Sequence, residues 1–179
     1  MSLHPLYSTW PCFTQEQVKE TNKEIKKNIV EREDPAAQAK SAGKQGDFFI
    51  VPCTPVMELI HPWLYECQLA NCEAFGYDIY WNFHLDVLNY NVYGKTGKYG
   101  WHIDTAKDRA SDLKFTCLLN LSEEPYEGGE FCVVGEEKPI EFTSGRGLII
   151  NSLIAHKVTP VTKGKRITLT YFAQGPAWR

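Results

Sequence analysis

Apolar residues recur at helical spacing in the first half of the chain and at alternating spacing in the second. Thr14, with Gln17 three residues on, has the form of a capping box. Val18, Ile25, Ile29 and Val30 then make a narrow apolar stripe among lysines and glutamates. The stripe predicts a helix from about 14 to Val30, laid across the surface of something larger. Residues 31–47 hold almost no large apolar group and read as a mobile loop or a lid. Phe48 to Val51 fit a short strand. Thr54 with Pro55, and His61 with Pro62, each look like the residue before a helix followed by proline at its first position. Segment 62–74, with Trp63, Leu64, Cys67, Leu69 and Ala70, reads as a helix with a broad apolar face that Gly76 stops.

Beyond that point short β-rich runs cover 79–92, 99–104, 114–121, 130–134, 138–142, 147–151, 153–159 and 166–173. In the first of them Phe83, Leu85 and Val87 alternate with polar neighbours, the pattern of a strand with one wet face. Gly128-Gly129, Gly135, Gly145 and Gly164 punctuate the series. Eight short strands at such spacing predict a sandwich or barrel, and a jelly roll is the natural eight-strand solution. The expected class is α+β. Residues 1–179 form one domain, with a helical part over about 14–76 packed on a jelly-roll core over about 78–175.

Composition narrows the function. A net charge of −3 gives no electrostatic footprint for nucleic acid. No apolar run approaches a membrane span, and the first residues lack the basic start and apolar stretch of a signal peptide. An intracellular, cytoplasmic protein is expected. The six cysteines include no C-x-x-C pair. They read as free, mostly buried thiols rather than zinc ligands.

One constellation carries chemistry. His102 and Asp104 form an H-x-D pair, His156 follows 52 positions after Asp104, and Arg166 lies ten residues beyond His156. Residues i and i+2 of an extended segment point to the same side. Two histidines and a carboxylate fill one face of an octahedral Fe(II) site and leave the opposite face open. His84 and Asp86 form a second H-x-D pair, but on the expected wet face of a strand, where metal binding is not anticipated. His4 and His61 have no partner at ligand spacing, and His61 reads as an extended residue before Pro62. In the last strong strand alternation puts Arg166, Thr168, Thr170 and Phe172 on one face, with Ile167, Leu169 and Tyr171 on the other. A buried face of Arg, Thr and Thr is costly unless something anionic meets it, and a guanidinium suits a carboxylate. Taken alone, Arg166 would be an ordinary solvated strand residue. Its place after His156 argues otherwise.

Three stretches carry a family resemblance: Tyr93-Gly-Lys-Thr-Gly-Lys-Tyr99-Gly-Trp-His102-Ile-Asp104, Tyr126-Glu-Gly-Gly-Glu130-Phe, and His156-Lys-Val-Thr-Pro160 through Arg166-Ile-Thr-Leu-Thr170. Over about Asp78 to Pro176 the chain resembles the 2-oxoglutarate/Fe(II)-dependent dioxygenases, in the branch with prolyl 4-hydroxylases. The resemblance implies a double-stranded β-helix, iron held by His102, Asp104 and His156, and the distal carboxylate of 2-oxoglutarate held by Arg166. Tyr93, nine residues before His102, matches a tyrosine on the same carboxylate, and a packing aromatic is the other reading. Asn120 matches a polar cosubstrate position, or is a strand-end turn residue. Thr168 or Thr170 is expected in the same pocket. Gly128-Gly129 fits a tight hairpin better than a phosphate cradle, since no helix follows it.

The implied cofactors are Fe(II), 2-oxoglutarate and O₂, with ascorbate as reductant. The implied reaction is hydroxylation, because halogenating relatives lack the carboxylate found here at Asp104. Proline in a protein or peptide is the first substrate expected, and a free amino acid or other small molecule the alternative. Residues 31–47 and the turn Gly94–Gly97 are expected to flank the mouth and order around substrate, beside Tyr99 and Trp101. Nucleic-acid repair is disfavoured: relatives of that kind carry R-x-N-x-T-x-R, and here Thr168 and Phe172 replace the Asn and the second Arg. A non-enzymatic sugar- or metal-binding jelly roll would need neither a redox metal set nor Arg166.

Overall fold

A computed structural model of the chain describes residues 6–32, 43–83, 86–104 and 112–177. Among these residues are twelve strands, two α-helices and two short helical turns. Helix α1 (Gln15–Lys27) opens with the capping box: Gln17 N donates to Thr14 Oγ1, and Thr14 N donates to Gln17 Oε1. It buries Val18, Thr21, Asn22 and Ile25, the single face of an amphipathic helix. It ends at Lys27, earlier than the stripe suggested, and leaves Val30 exposed.

Helix α2 (Met57–Ala70) follows a 3₁₀ turn at Thr54–Val56 and runs into a π turn at Asn71–Phe75. Gly76 ends it at φ 69°, a left-handed conformation suited to glycine. The start expected at Pro62 is wrong, because Pro62 lies inside the helix. An interior proline costs about 3 kcal/mol. Pro62 itself is exposed, and the face the helix buries through Ile60, Trp63, Leu64 and Cys67 outweighs that cost. His61 is accordingly helical, not extended, and stacks on Tyr65.

The strands are β1 (Tyr7–Pro11), β2 (Glu31–Arg32), β3 (Asp47–Pro52), β4 (Val87–Tyr93), β5 (Tyr99–His102) and β6 (Leu113–Asn120). They continue with β7 (Glu127–Gly128), β8 (Phe131–Val133), β9 (Arg146–Asn151), β10 (His156–Val158), β11 (Val161–Lys163) and β12 (Arg166–Gln174). Seven form one sheet in the order β1-β9-β6-β12-β4-β3-β2, and the others form the sheets β5-β10-β8 and β11-β7. Every ladder among the described residues runs antiparallel. Leu118, Leu148 and Ile150 of the large sheet pack against Phe131, Val133 and Val158 of the smaller one. The other face of the large sheet packs Leu119, Ile149, Leu169 and Tyr171 against Val18, Ile25, Trp63 and Leu64 of the helices. This is an α+β jelly roll with its helices on one outer face.

Two differences from the sequence reading matter for the site. The run 79–86 forms no strand among its described residues; ladder pairing on this run starts at Val87. Its aromatics pack instead on the helix side, Trp81 stacking on Tyr171 at 5.9 Å and Phe83 lying 5.6 Å from the same ring. The second difference is that the 31–47 loop is shorter than expected. Glu31 and Arg32 pair with β3, and Gln45 exchanges two backbone hydrogen bonds with Lys98. Residues 33–42 lie outside the described residues. Of the expected strand 138–142, only a single bridge from Ile140 to Phe131 forms.

Candidate active site

Antiparallel pairing places His156 of β10 directly opposite His102 of β5, and Asp104 follows just past the end of β5. One potential ligand atom from each of the three lies within 4.8 Å of the others. His102 Nε2 is 3.4 Å from Asp104 Oδ1, and His156 Nε2 is 3.6 Å from Asp104 Oδ2. Each ring is oriented through its other nitrogen. His102 Nδ1 lies 2.8 Å from Gly100 O and His156 Nδ1 lies 3.0 Å from Ile154 O. Donation to those carbonyls puts the proton on Nδ1 and turns the Nε2 lone pair toward the shared centre. Tyr99 stacks on His102 and Phe131 on His156, which limits ring rotation.

The electrostatics favour the ligand forms. Burial lowers the pKa of His156 and outweighs the opposing pull of Asp104, so its ring is neutral at pH 7. Burial pushes the Asp104 carboxyl up, but His102, His156 and a hydrogen bond from Thr116 Oγ1 together hold it below its ordinary value. Asp104 is therefore a carboxylate.

The triad opens on a cavity walled by the inward faces of β4, β6 and β12, and Arg166, Thr168, Thr170 and Phe172 all line it. Arg166 is 1% exposed, and its Nε and Nη2 have no hydrogen-bond partner. No carboxylate pairs with it among the described residues. Its guanidinium lies 5.3 Å from the Tyr93 ring and 5.6 Å from that of Phe142. Gly129 lets the wall close behind it. At φ 62° this residue has no side chain, and an added Cβ would meet Arg166 Cδ at 2.9 Å.

Other expected residues fall differently. Asn120 does not line the cavity. Its amide donates to Phe142 O at 2.6 Å and Tyr126 Oη at 3.0 Å, and its carbonyl accepts from Ser122 N, so its polar atoms serve the fold. Gly128-Gly129 is not a tight hairpin, because β7 pairs with β11 rather than β8. Both glycines hold positive φ for close approach, Gly128 against Pro160 O. The turn Gly94–Gly97 is already fixed, Thr96 N donating to Val161 O and Val161 N to Gly97 O. Asp86 accepts from the Tyr171 hydroxyl at 2.7 Å and takes no part in the triad; His84 lies outside the described residues. All six cysteines are free.

Thr116, Asn89, Asn91 and Lys44 also line the cavity, and sequence reasoning missed them. Asn89 and Asn91 share the alternation of Tyr93 along β4, and that alternation is the signal that points to them. Asn91 Nδ2 donates to Thr170 Oγ1 at 3.0 Å and to Thr168 Oγ1 at 3.4 Å. Lys44 stands 3.8 Å over the Phe48 ring.

Two imidazole nitrogens and a carboxylate, free to face one point, suit a divalent metal of the Fe(II) type. The buried, unpartnered guanidinium in the same cavity suits the far end of a dicarboxylate. Residues 88–174 match the profile of the 2OG-Fe(II) oxygenase superfamily. A PKHD-type hydroxylase of Alteromonas mediterranea is 36% identical over 96 residues, 48% of this chain and 42% of that protein. The matched region thus spans about two fifths of such relatives. The viral collagen prolyl hydroxylase of Paramecium bursaria Chlorella virus-1, solved with 2OG, superposes with a TM-score of 0.72 at 14% identity, covering 96% of this chain and 97% of that one. A Pseudomonas putida prolyl-4-hydroxylase superposes with a TM-score of 0.71 at 16% identity, covering 97% and 94%.

Proposed function

We propose that this chain, whose residues 88–174 match the 2OG-Fe(II) oxygenase superfamily, is an Fe(II)- and 2-oxoglutarate-dependent dioxygenase that hydroxylates a C–H bond, first of all that of proline in a protein or peptide. The observation that carries this reading is the pairing of an open His102, Asp104, His156 triad with the unpartnered, buried Arg166 in one cavity. The triad would hold the iron. Arg166 would anchor the distal carboxylate of 2-oxoglutarate, with the Tyr93 ring against its guanidinium and Thr168 and Thr170 along the wall. When bound, the iron and cosubstrate supply the O₂-dependent oxidation, with 2-oxoglutarate converted to succinate and CO₂.

The protein's part is placement and exclusion. The backbone carbonyls of Gly100 and Ile154 set both imidazoles, and burial keeps His156 neutral and ready to bind. Leu118, Phe131 and Val158 line the cavity with apolar surface and would keep water from a cosubstrate held there. A peptide substrate is supported by what the similar structures are named for, collagen prolyl and prolyl-4-hydroxylation. No helix among the described residues is long and apolar enough to cross a membrane.

The test is succinate release with Fe(II), ascorbate and 2-oxoglutarate, comparing proline-containing peptides with free amino acids. Peptide-stimulated succinate with hydroxyproline in the product supports the full reading. Stimulation by a free amino acid alone moves the assignment to small molecules. If no succinate forms and 2-oxoglutarate does not bind the metal-loaded protein, the reading is lost.

A further inference from the structure

The three metal-facing residues are not held in the same way. Both histidines are set by main-chain carbonyls two residues before them. The backbone of Asp104 is tied by its N–H to Ser152 O, yet its carboxylate is held by a side chain, Thr116, whose hydroxyl donates to Oδ2 at 2.5 Å. Thr116 is 2% exposed, on the inward face of β6. It lines the polar cavity, yet its cross-strand partners Ile150 and Phe172 are apolar, as is Leu118, which follows it on the inward face. A valine would fit that company without the cost of burying a hydroxyl. The bond to Asp104 is the one interaction that accounts for threonine.

Resting on the proposed iron site, we infer that Thr116 is a positioning residue: its hydroxyl engages Asp104 Oδ2, the oxygen 3.6 Å from His156 Nε2, and leaves Oδ1, 3.4 Å from His102 Nε2, as the stronger donor to the metal. A carboxylate bound through one oxygen takes one coordination position, and bound through two it takes two. A hydrogen bond to the second oxygen favours the first arrangement and keeps open the positions that a 2-His-1-carboxylate site needs for its cosubstrate and O₂. Serine would keep the bond and lose only the methyl.

The experiment compares wild type, Thr116→Val and Thr116→Ser by Co(II) titration, Co(II) absorption spectrum and melting of the metal-free protein, with His102→Ala as control. Loss of such an outer partner lowers metal affinity about 10- to 100-fold. Thr116→Val should weaken Co(II) by that factor and change its visible bands, with melting of the metal-free protein little altered. Thr116→Ser should restore both affinity and spectrum. Equal Co(II) affinity and an unchanged spectrum in Thr116→Val overturn the inference. So does equal impairment of both variants together with a lowered melting temperature, which would make the role one of packing. If wild type takes up no Co(II), or His102→Ala takes it up equally well, the iron site itself has failed and the role of Thr116 falls with it.

Discussion

The two faces of the seven-stranded sheet obey opposite rules, and β12 shows both within nine residues. Its odd positions, Leu169, Tyr171 and Ala173, are buried in an apolar cluster with Trp63 and Leu64 of α2. Its even positions, Arg166, Thr168 and Thr170, are as deeply buried but polar, and they line the cavity. Equal burial therefore has different consequences. On the helix side it removes apolar surface from water and stabilises the fold. On the cavity side it strips water from the Arg166 cation, which opposes stability unless a partner arrives, while the two hydroxyls already accept from Asn91 Nδ2. The helix layer holds rigid a surface that could not stabilise itself.

Crossing the two faces by mutation separates these roles. The largest effect is expected from Trp63→Ala, which empties a fully buried site on the helix side and should lower unfolding free energy by about 3–5 kcal/mol. Denaturant melts check this, and the protein that stays folded should bind Co(II) as before. Arg166→Ala should do the reverse. It should weaken 2-oxoglutarate on the Mn(II)-loaded protein by on the order of 2–5 kcal/mol in calorimetry. The denaturant midpoint should hold or rise, because a buried cation without a protein partner is removed. A large loss of stability in Arg166→Ala would show that the cavity face contributes to the fold after all.

Asn22 is a polar exception on the helix side. It donates to Leu121 O at 2.7 Å and accepts from Tyr90 Oη at 2.9 Å, tying α1 to the sheet. Asn22→Ala should cost about 1–3 kcal/mol of stability by leaving Leu121 O and the Tyr90 hydroxyl unsatisfied, without change in metal uptake. The smallest effect should come from Thr14→Ala, about 1 kcal/mol, read as a lower melting temperature.

The legible parts were those where one local period meets one environment. In β12 alternation separates two buried faces of different polarity, so Arg166 could be assigned a side from the sequence alone. The triad was legible through residue type and spacing. Thr116 was not, because Leu113 to Asn120 is buried at every position and mostly apolar, so no alternation points to the hydroxyl. The segment around Trp81 reads as a strand because its residues favour extended backbone, yet stacking on Tyr171 took its aromatics out of any ladder. Strand β1 was missed for the opposite reason: five residues near the start of the chain carry little pattern, and pairing with β9 makes them a strand. Asn120 misled because a shared position does not secure a shared role once its amide is spent on Phe142 O and Tyr126 Oη.

Gly129 adds a consequence about length. A guanidinium can sit only as deep as the wall behind it allows, and here that wall has no side chain, with any Cβ falling 2.9 Å from both Arg166 Cδ and Val161 Cγ2. The span from triad to arginine is the ruler against which a bridging diacid is measured. A larger residue at this position would have to displace the Arg166 stem or Val161 and so change the ruler. If the cavity takes a diacid as proposed, Gly129, without reaching it, would help to set how many carbons separate the two acids.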